Sequence, residues 1–594
     1  MIDLLARTTL SRCMRCSLIG LLLIGLLLPL VGCPSGGGER RHFTATTVTV
    51  SATQEQLLRA MDNLSRPSEF DREQSLADSA YYLNRWLDEQ EPDPNWEVDP
   101  MASRLPRDIR DSDLLDDVGK WTFSIDDVRA MQEATLLRDL STWVSKQPVD
   151  ERLKKWLDEQ AESLGDLDRE YLAVAERLFD WTVRNIQLEA TVPYPDESVA
   201  PSAGGEQSRE KRIPAPQRAI PGPGYRFPTW EILQYGFGDA FQRSRIFIEL
   251  ARQQGIDVVY IALPGNTVPP RPRPWLTGAL VGGELYLFDA ELGLPIPSVN
   301  GVGIATLSQV LESPDLLAAL EVDGQSYRVS HAELKDLIAL IDVSPANLAQ
   351  RMQLVQANLA GDQRTILTVS PTSIAERLKS VRGISNSTLW SVPFEAIWFQ
   401  LAMKKVLETN REVAAGYYQA VGIFQTRGPL TQGRQLHLQG EFERLEEGKE
   451  GAKGLYMQAR VPTAAIDQIG TNPEVQKAMG LVRGSNEGDF VWQSRVASSH
   501  MLTTQAKQHA SYWLALVHYE TGNREAAVTW LQERTIDAWK EGPWTQGARY
   551  NLGRTYEALG KYDEARELYA SDDSPQSLGN HLRAKFLQKW AAQN

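Results

Sequence analysis

Two copies of one helical pattern stand near the carboxyl-terminal end of the chain. YWLALVHYETGNREAAVTWL, from residue 512, and YNLGRTYEALGKYDEARELY, from residue 550, align with an offset of 38 residues. Small residues let the two helices of a hairpin approach closely, and large residues fill the spaces between hairpins. A single hairpin cannot bury its apolar face alone, so the pattern requires a stack. The predicted packing residues are Leu514, Ala515, Ala527, Leu552, Gly553, Tyr556, Ala565 and Tyr569.

The spacing of these residues resembles the tetratricopeptide repeat, strongly in the second copy and less fully in the first. A weaker copy stands upstream at Gly440, Ala452, Tyr456 and Ala459. The resemblance implies a short α-solenoid over 501–594 that binds a protein partner. A generic helical hairpin without a binding role is the alternative interpretation.

The amino-terminal residues have the pattern of an export signal. Three arginines precede an apolar run at 17–32, which is followed by Cys33. A basic segment before a short apolar segment is typical of a secretory signal, and this run is shorter than the roughly 20 residues that span a bilayer. The sequence LVGC at 30–33 resembles the lipobox of bacterial lipoproteins, in which the cysteine is lipidated.

This resemblance implies a signal peptide at 1–32 and lipid on Cys33. Residues 33–49, which include the sequence PSGGGERR, then form a flexible tether. We therefore expect a membrane-anchored lipoprotein of the cell envelope, on the periplasmic face or the outer membrane. An ordinary signal peptide or a marginal membrane anchor is the alternative.

The cysteine count restricts the chemistry of the mature chain. The three cysteines are Cys13, Cys16 and Cys33, and the first two lie inside the predicted signal. Removal of that signal leaves Cys33 alone, so neither an internal disulfide nor a thiol nucleophile is expected.

Length, charge and periodicity indicate several regions. A chain of 594 residues exceeds the size of one ordinary core. The formal net charge of -15 argues against a nucleic-acid partner.

Apolar spacing and turn signals predict a mainly α protein with one α+β domain. The predicted regions are 50–165 (helical), 166–345 (α+β, with a loop insertion at about 190–228), 346–500 (helical, with degenerate repeats as an option) and 501–594 (repeats).

Three segments of the α+β region share a further resemblance. They are AERLFDWTVRNIQL, TWEILQYGFGDAFQRSRIFIELARQQGIDVVYI and WLTGALVGGELYLFDAELG. In that order they match the leading helix, the Gly-x-Gly-x-Cys helix and the His- and Asp-bearing strands of the transglutaminase-like superfamily. The resemblance implies a papain/transglutaminase-like core flanked by helical regions.

That superfamily uses a thiolate, an imidazole that takes its proton, and a carboxylate that orients the imidazole. Ala240 stands at the cysteine position and Asp289 at the carboxylate position. If Trp275 matches the family's aromatic residue, Arg273 stands at the histidine position. No histidine occurs between 43 and 330. The resemblance therefore implies a degenerate domain in which no catalytic residue is expected.

Other roles for this region stay open. Ser244 lies one helical turn after Ala240, and we expect it to be a packing residue. In the alternative interpretation, a Ser or Asp side chain in the cleft acts as the nucleophile. The protein would then be an envelope hydrolase or transferase of protease or amidase type. Asp289 is expected to accept backbone hydrogen bonds or to pair with Arg273 or Arg245. Alternatively, Arg273 and Asp289 line a cleft for a peptide or glycan.

No other chemical motif stands out in the mature chain. The C-x-x-C pair at 13–16 lies inside the predicted signal, and the rest of the sequence has neither an H-x-x-x-H nor a C-x-x-C spacing nor the phosphate-binding loop pattern. We therefore predict no metal and no cofactor. The combined prediction is a non-catalytic, lipid-anchored pseudoenzyme whose repeats recruit a protein.

Overall fold

The amino-terminal part of the described chain is helical, as its apolar spacing predicts. The computed structural model describes residues 52–192, 219–265, 271–298, 301–322, 324–443, 446 and 448–591. Ser124 caps the helix that begins at Ile125 and forms a reciprocal capping box with Asp127. The helices are α1 (Ala52–Ser65), α2 (Arg72–Leu87), α3 (Arg107–Arg110), α4 (Asp113–Asp116), α5 (Ile125–Val144), α6 (Glu151–Glu159) and α7 (Asp166–Asn185).

Several predicted features lie outside the described residues. They are the signal peptide, Cys33, the tether and most of the loop insertion (193–218). Within the described ranges, no helix is long and apolar enough to cross a membrane.

Two sheets follow α7. A small parallel sheet pairs β1 (Gln187–Leu188) with β2 (Phe237–Gly238). A six-stranded sheet has the order β6-β5-β4-β3-β7-β8, antiparallel except for the parallel pair β7–β8. Its strands are β3 (Val258–Leu263), β4 (Arg273–Val281), β5 (Glu284–Asp289), β6 (Leu294–Pro295), β7 (Leu337–Ile341) and β8 (Ile384–Leu389).

The β4–β5 hairpin turns on Gly282 and Gly283, as predicted. Both have positive φ, 58° and 83°, which a two-residue hairpin turn of this kind requires at its two central positions. Glycine adopts these angles without the steric cost that other residues carry.

Both faces of the large sheet are covered. Helices α8 (Thr229–Tyr235) and α9 (Ala240–Gln253) precede β3. Tyr260 and Ala262 of β3 belong to the same apolar cluster as Phe247 of α9. Ile261, which points to the opposite face, belongs to the cluster that contains α1 and α2. Burial on both faces explains why β3 is apolar throughout rather than alternating.

The sheet extends past residue 345, into the region predicted as helical. The sequence ISNSTL of β8 is half polar and its first residues are partly exposed. An edge strand of this composition gives little periodic signal, and its pairing with β7 depends on contacts distant in sequence. The helices around it are α10 (Leu307–Glu312), α11 (Asp315–Ala318), α12 (Gln350–Asn358), α13 (Pro371–Leu378), α14 (Val392–Thr409) and α15 (Arg411–Val421).

Helical hairpins form the remainder of the chain. The two predicted repeats are α20–α21 and α22–α23, and the upstream weaker copy is α16–α17. Seven of the eight predicted packing residues are buried, and Tyr556 is half-buried. The helices are α16 (Pro429–Leu438), α17 (Ala452–Ala459), α18 (Thr463–Gln468), α19 (Pro473–Ala478), α20 (Asp489–Glu520), α21 (Arg524–Leu531), α22 (Thr545–Ala558), α23 (Tyr562–Ala570) and α24 (Ser577–Ala591).

Candidate functional site

The amino-terminal end of α9 is the position where the transglutaminase-like resemblance would have its nucleophile. Gly236 ends α8 in a left-handed conformation, φ 76°, and Asp239 then caps α9. One carboxylate oxygen of Asp239 accepts the Gln242 amide at 2.9 Å, and the other accepts the Gly224 amide at 2.7 Å. Burial raises the pKa of Asp239. The helix terminus is thus capped by a side chain of its own chain.

The nucleophile position itself is packed. Ala240 is 5% exposed. The ring centre of the next residue, Phe241, lies 5.7 Å from the ring centre of Tyr260 and 6.4 Å from that of Trp390. Ser244 is buried, and its hydroxyl donates to the Ala240 carbonyl at 2.8 Å. Apolar and aromatic groups therefore fill the space around this helix terminus.

Helix α14 covers the same terminus. The Tyr225 hydroxyl donates to Glu395 of α14, and Tyr225 packs in an apolar cluster with Phe399. A Cβ atom placed on Gly224 would lie 3.1 Å from both Phe241 and Val392. The close approach at Gly224 brings α14 directly against the start of α9.

Asp289 has a complete set of partners inside the core. It accepts the Tyr327 hydroxyl at 2.7 Å, Arg328 Nη1 at 2.9 Å, and two backbone amides at 3.0 and 3.1 Å. The Trp275 indole in turn donates to the Tyr327 hydroxyl at 2.7 Å. A structural role for this carboxylate was expected, and its partners explain how a fully buried charge is tolerated.

The two arginines predicted as partners of Asp289 lie elsewhere, so that prediction was wrong. Arg273 is about half exposed and pairs with Glu333 at the surface. Arg245 lies 3.1 Å from Glu249 and 3.4 Å from Asp342. Tertiary packing decides which arginine reaches a buried carboxylate, and no local pattern indicated Arg328.

The positions Ala240, Arg273 and Asp289 therefore have three separate surroundings: a packed helix terminus, a surface ion pair and a buried hydrogen-bonded network. Within the described ranges, no group of three or more His, Cys, Asp or Glu side chains is arranged to hold a metal ion.

The first helices of the two predicted repeats, α20 and α22, contact the core directly. We call the surface that α20 and α22 turn toward α7 the first-helix face. Asn185 Nδ2, at the end of α7, donates to Glu520 Oε1 of α20 at 2.9 Å. Asn551 Nδ2 of α22 donates to the Arg184 carbonyl at 3.0 Å. The Gly547 amide donates to Gln187 Oε1 at 2.9 Å.

Charged groups reinforce these contacts. Asp180 of α7 pairs with Arg554 of α22. The Arg184 guanidinium lies 4.5 Å from the centre of the Tyr519 ring. Residues of α7 and β1 thus occupy the first-helix face. The sequence analysis missed them, because nothing in the local pattern links α7 to helices more than 300 residues later.

The exposed charged residues of the second helices, α21 and α23, are acidic, and the partly exposed Arg566 of α23 lies 3.3 Å from Asp563. The exposed carboxylates there are those of Glu525, Asp563, Glu564 and Glu567. We call this surface the second-helix face.

A comparison with known families bears on these hairpins. Residues 496–571 match the model of the family described as anaphase-promoting complex, cyclosome, subunit 3, whose repeats are of the tetratricopeptide type. The carboxyl-terminal helices are tetratricopeptide-like repeats. Such repeats generally mediate protein–protein interaction. No match was found among curated proteins or among solved structures.

Proposed function

We propose that this chain is a non-catalytic, membrane-anchored scaffold of the bacterial envelope, which recruits a protein partner through its repeats. The observation that carries the proposal is the match of residues 496–571 to a repeat family, together with the exposed second-helix face. Anchoring would come from lipid on Cys33, and export from the signal at 1–32.

Three observations support the non-catalytic part. The position of the family's cysteine is a buried alanine, Ala240. Asp239 caps the helix terminus that would otherwise stabilise a thiolate. The alternative, a hydrolase that uses Ser244, needs an accessible hydroxyl, whereas this one is buried and donates to a backbone carbonyl.

The partner would contact the second-helix face rather than the first-helix face. Repeats commonly bind ligands on the surface that their stacked helices form. Here α7 and β1 already occupy the first-helix face, through contacts such as Asn185 with Glu520. The acidic character of the second-helix face favours a partner with a basic surface.

The experiment is a detergent pull-down with the tagged full-length protein and two matched triple variants. Glu525→Gln, Glu564→Gln and Glu567→Gln together neutralise the second-helix face. Glu159→Gln, Glu162→Gln and Glu408→Gln neutralise three exposed carboxylates elsewhere and change the net charge equally.

We expect the first variant to reduce capture of the partner about tenfold, with a weaker dependence on salt. The second variant should capture as well as the unmodified protein. Equal capture by both variants, at every salt concentration, would contradict the proposed surface. Lipid anchoring is tested separately, because Cys33→Ala should release the protein from membranes.

A further inference from the structure

A small polar cavity lies where the repeats meet the core. Its volume of about 20 Å³ is enough for one water-sized species. Its walls come from α7, β1, α9, α20, α22 and α24, so it belongs to the junction and not to either part alone. The lining residues that matter here are Arg184, Arg243, Tyr512, Gln546, Asn551 and Gln576.

Arg243 of α9 is a buried cation whose hydrogen-bond acceptors are all neutral. It is 1% exposed. Its guanidinium donates to the Ile186 carbonyl and to Gln576 Oε1, both at 2.7 Å, and to the Ala290 and Val183 carbonyls at 3.2 and 3.3 Å. Burial lowers the pKa of Arg243 to about 10. A buried charge without a counter-charge is costly, so the site favours an anion.

The walls of the cavity are electrostatically one-sided. The described residues that line it include two arginines and no aspartate or glutamate. The Nη1 atom of Arg184 is buried without a hydrogen-bond partner and lies 3.8 Å from Glu520. The Asn551 amide already donates to the Arg184 carbonyl, the Tyr512 hydroxyl and the Gly547 carbonyl, so the guanidinium of Arg184 is the lining group with an unpaired donor. A buried arginine without a counter-charge, beside a guanidinium nitrogen without a hydrogen-bond partner, is a site that a small anion would stabilise.

We propose that this cavity binds one small monovalent anion, a chloride ion or the charged oxygens of a carboxylate as small as formate. The anion supplies the counter-charge that Arg243 lacks. Because the walls belong to both parts of the chain, the bound anion also strengthens the docking of the repeats on the core.

The first experiment measures the unfolding temperature of the full-length protein at constant ionic strength. Sodium chloride or sodium formate replaces sodium gluconate, whose anion is too large for the cavity. We expect a saturable rise of about 1–3 °C with chloride and with formate. A temperature that does not change with the anion would overturn the proposal. Saturation with formate alone would assign the site to carboxylates rather than to halides.

The second experiment supplies the negative charge covalently. Gln576 Oε1 already lies 2.7 Å from Arg243 Nη1, so Gln576→Glu places a carboxylate beside the guanidinium with almost no change of shape. We expect this variant to unfold at a higher temperature in gluconate than the unmodified protein, and to show no response to chloride. Gln353→Glu, an exposed position on α12 with the same charge change, should keep the response.

A third measurement covers the case in which Gln576→Glu does not fold. Bound chloride broadens the chloride NMR line of the unmodified protein, and formate should compete that broadening away. Broadening that formate leaves intact, or a Gln576→Glu variant that still responds to chloride, contradicts the proposed site.

Discussion

The side-chain amide of Asn185 donates to the carboxylate of Glu520 across 2.9 Å, and so links the last turn of α7 to the last turn of α20. The other carboxylate oxygen lies 2.7 Å from His437 Nε2. Burial raises the pKa of Glu520, but His437, Arg184 and Asn185 together bring it below its usual value. A buried, ionised and fully partnered carboxylate thus stands at the centre of the junction.

Removing the Asn185 amide should destabilise the whole chain. Asn185→Ala leaves one oxygen of the buried Glu520 without this donor, which costs about 1–3 kcal/mol in the free energy of unfolding. Urea unfolding measures the change. The control, Asn358→Ala, removes an exposed asparagine whose side chain bonds within its own helix, and should change the free energy by no more than about 0.5 kcal/mol. Equal effects of the two changes would contradict the importance of this contact.

A methyl group at Gly553 should separate the helices of the last repeat. Its Cβ would lie 2.6 Å from the ring of Tyr569, so the ring or the helix has to move. We expect Gly553→Ala to lower the free energy of unfolding by about 1–3 kcal/mol. Gly416→Ala is the matched control, because nothing lies within 4 Å of its added Cβ. That change should be neutral or stabilise α15 by about 0.5–1 kcal/mol. A destabilised control would show that the effect is not one of packing.

Asp289 and Arg273, which the sequence placed in one remnant triad, should respond very differently to mutation. Asp289→Asn removes the negative charge opposite Arg328 and turns an acceptor into a donor toward buried groups. We expect a loss of about 3–5 kcal/mol, measured by urea unfolding. Arg273→Gln disrupts only an exposed pair and should change stability by less than about 1 kcal/mol. If both residues lined a ligand cleft, Asp289→Asn and Arg273→Gln would weaken ligand binding to a similar extent. Equilibrium dialysis of the two variants with cell-wall peptides and glycans measures this, and a similar loss of binding in both would contradict the separate roles.

His509 should make the stability of the repeats depend on pH. Its Nδ1 accepts the Trp544 indole at 2.7 Å, which requires a neutral ring. Burial and the neighbouring Arg434 lower the pKa of His509 to about 3. The unfolded chain takes up the proton below about pH 6.5, whereas the folded chain does not. The contribution of neutral His509 to the free energy of unfolding is therefore fully present above about pH 6.5. At pH 5 the free energy of unfolding is lower by about 2 kcal/mol.

The pH dependence can be isolated with His509→Asn, which keeps an acceptor for Trp544 but cannot titrate. Urea unfolding at pH 7.5 and at pH 5 should show a smaller loss for this variant than for the unmodified protein. An unchanged difference between the two pH values would assign the effect to other groups.

Local patterns predicted much of the fold. The glycine pair Gly282–Gly283 fixed the β4–β5 hairpin, because its turn conformation requires positive φ. The small and large residues of α22 and α23 predicted their packing, since these helices are neighbours in sequence and Gly553 meets Tyr569 directly. In each case the decisive contacts join consecutive strands or helices.

Contacts between distant segments were not predictable in this way. Arg328 as the partner of Asp289, β8 as the neighbour of β7, and α7 as the occupant of the first-helix face all depend on tertiary packing. A single sequence records which residues are polar, but not which buried partner each one meets. The candidate site at α9 was located from its motif, whereas its filling by Phe241, Trp390 and α14 became visible only in three dimensions.

The junction between α7 and the repeats has a consequence for biosynthesis. Asn185 and Glu520 are 335 residues apart, so α7 leaves the ribosome long before its partners exist. Contacts of such sequence separation slow folding, and surface that waits for its partner invites aggregation. If the chain is exported unfolded, in line with the proposed envelope location, it completes this junction only when its last helices arrive. We expect a protein built in this way to depend on holding chaperones more than its repeats alone would require.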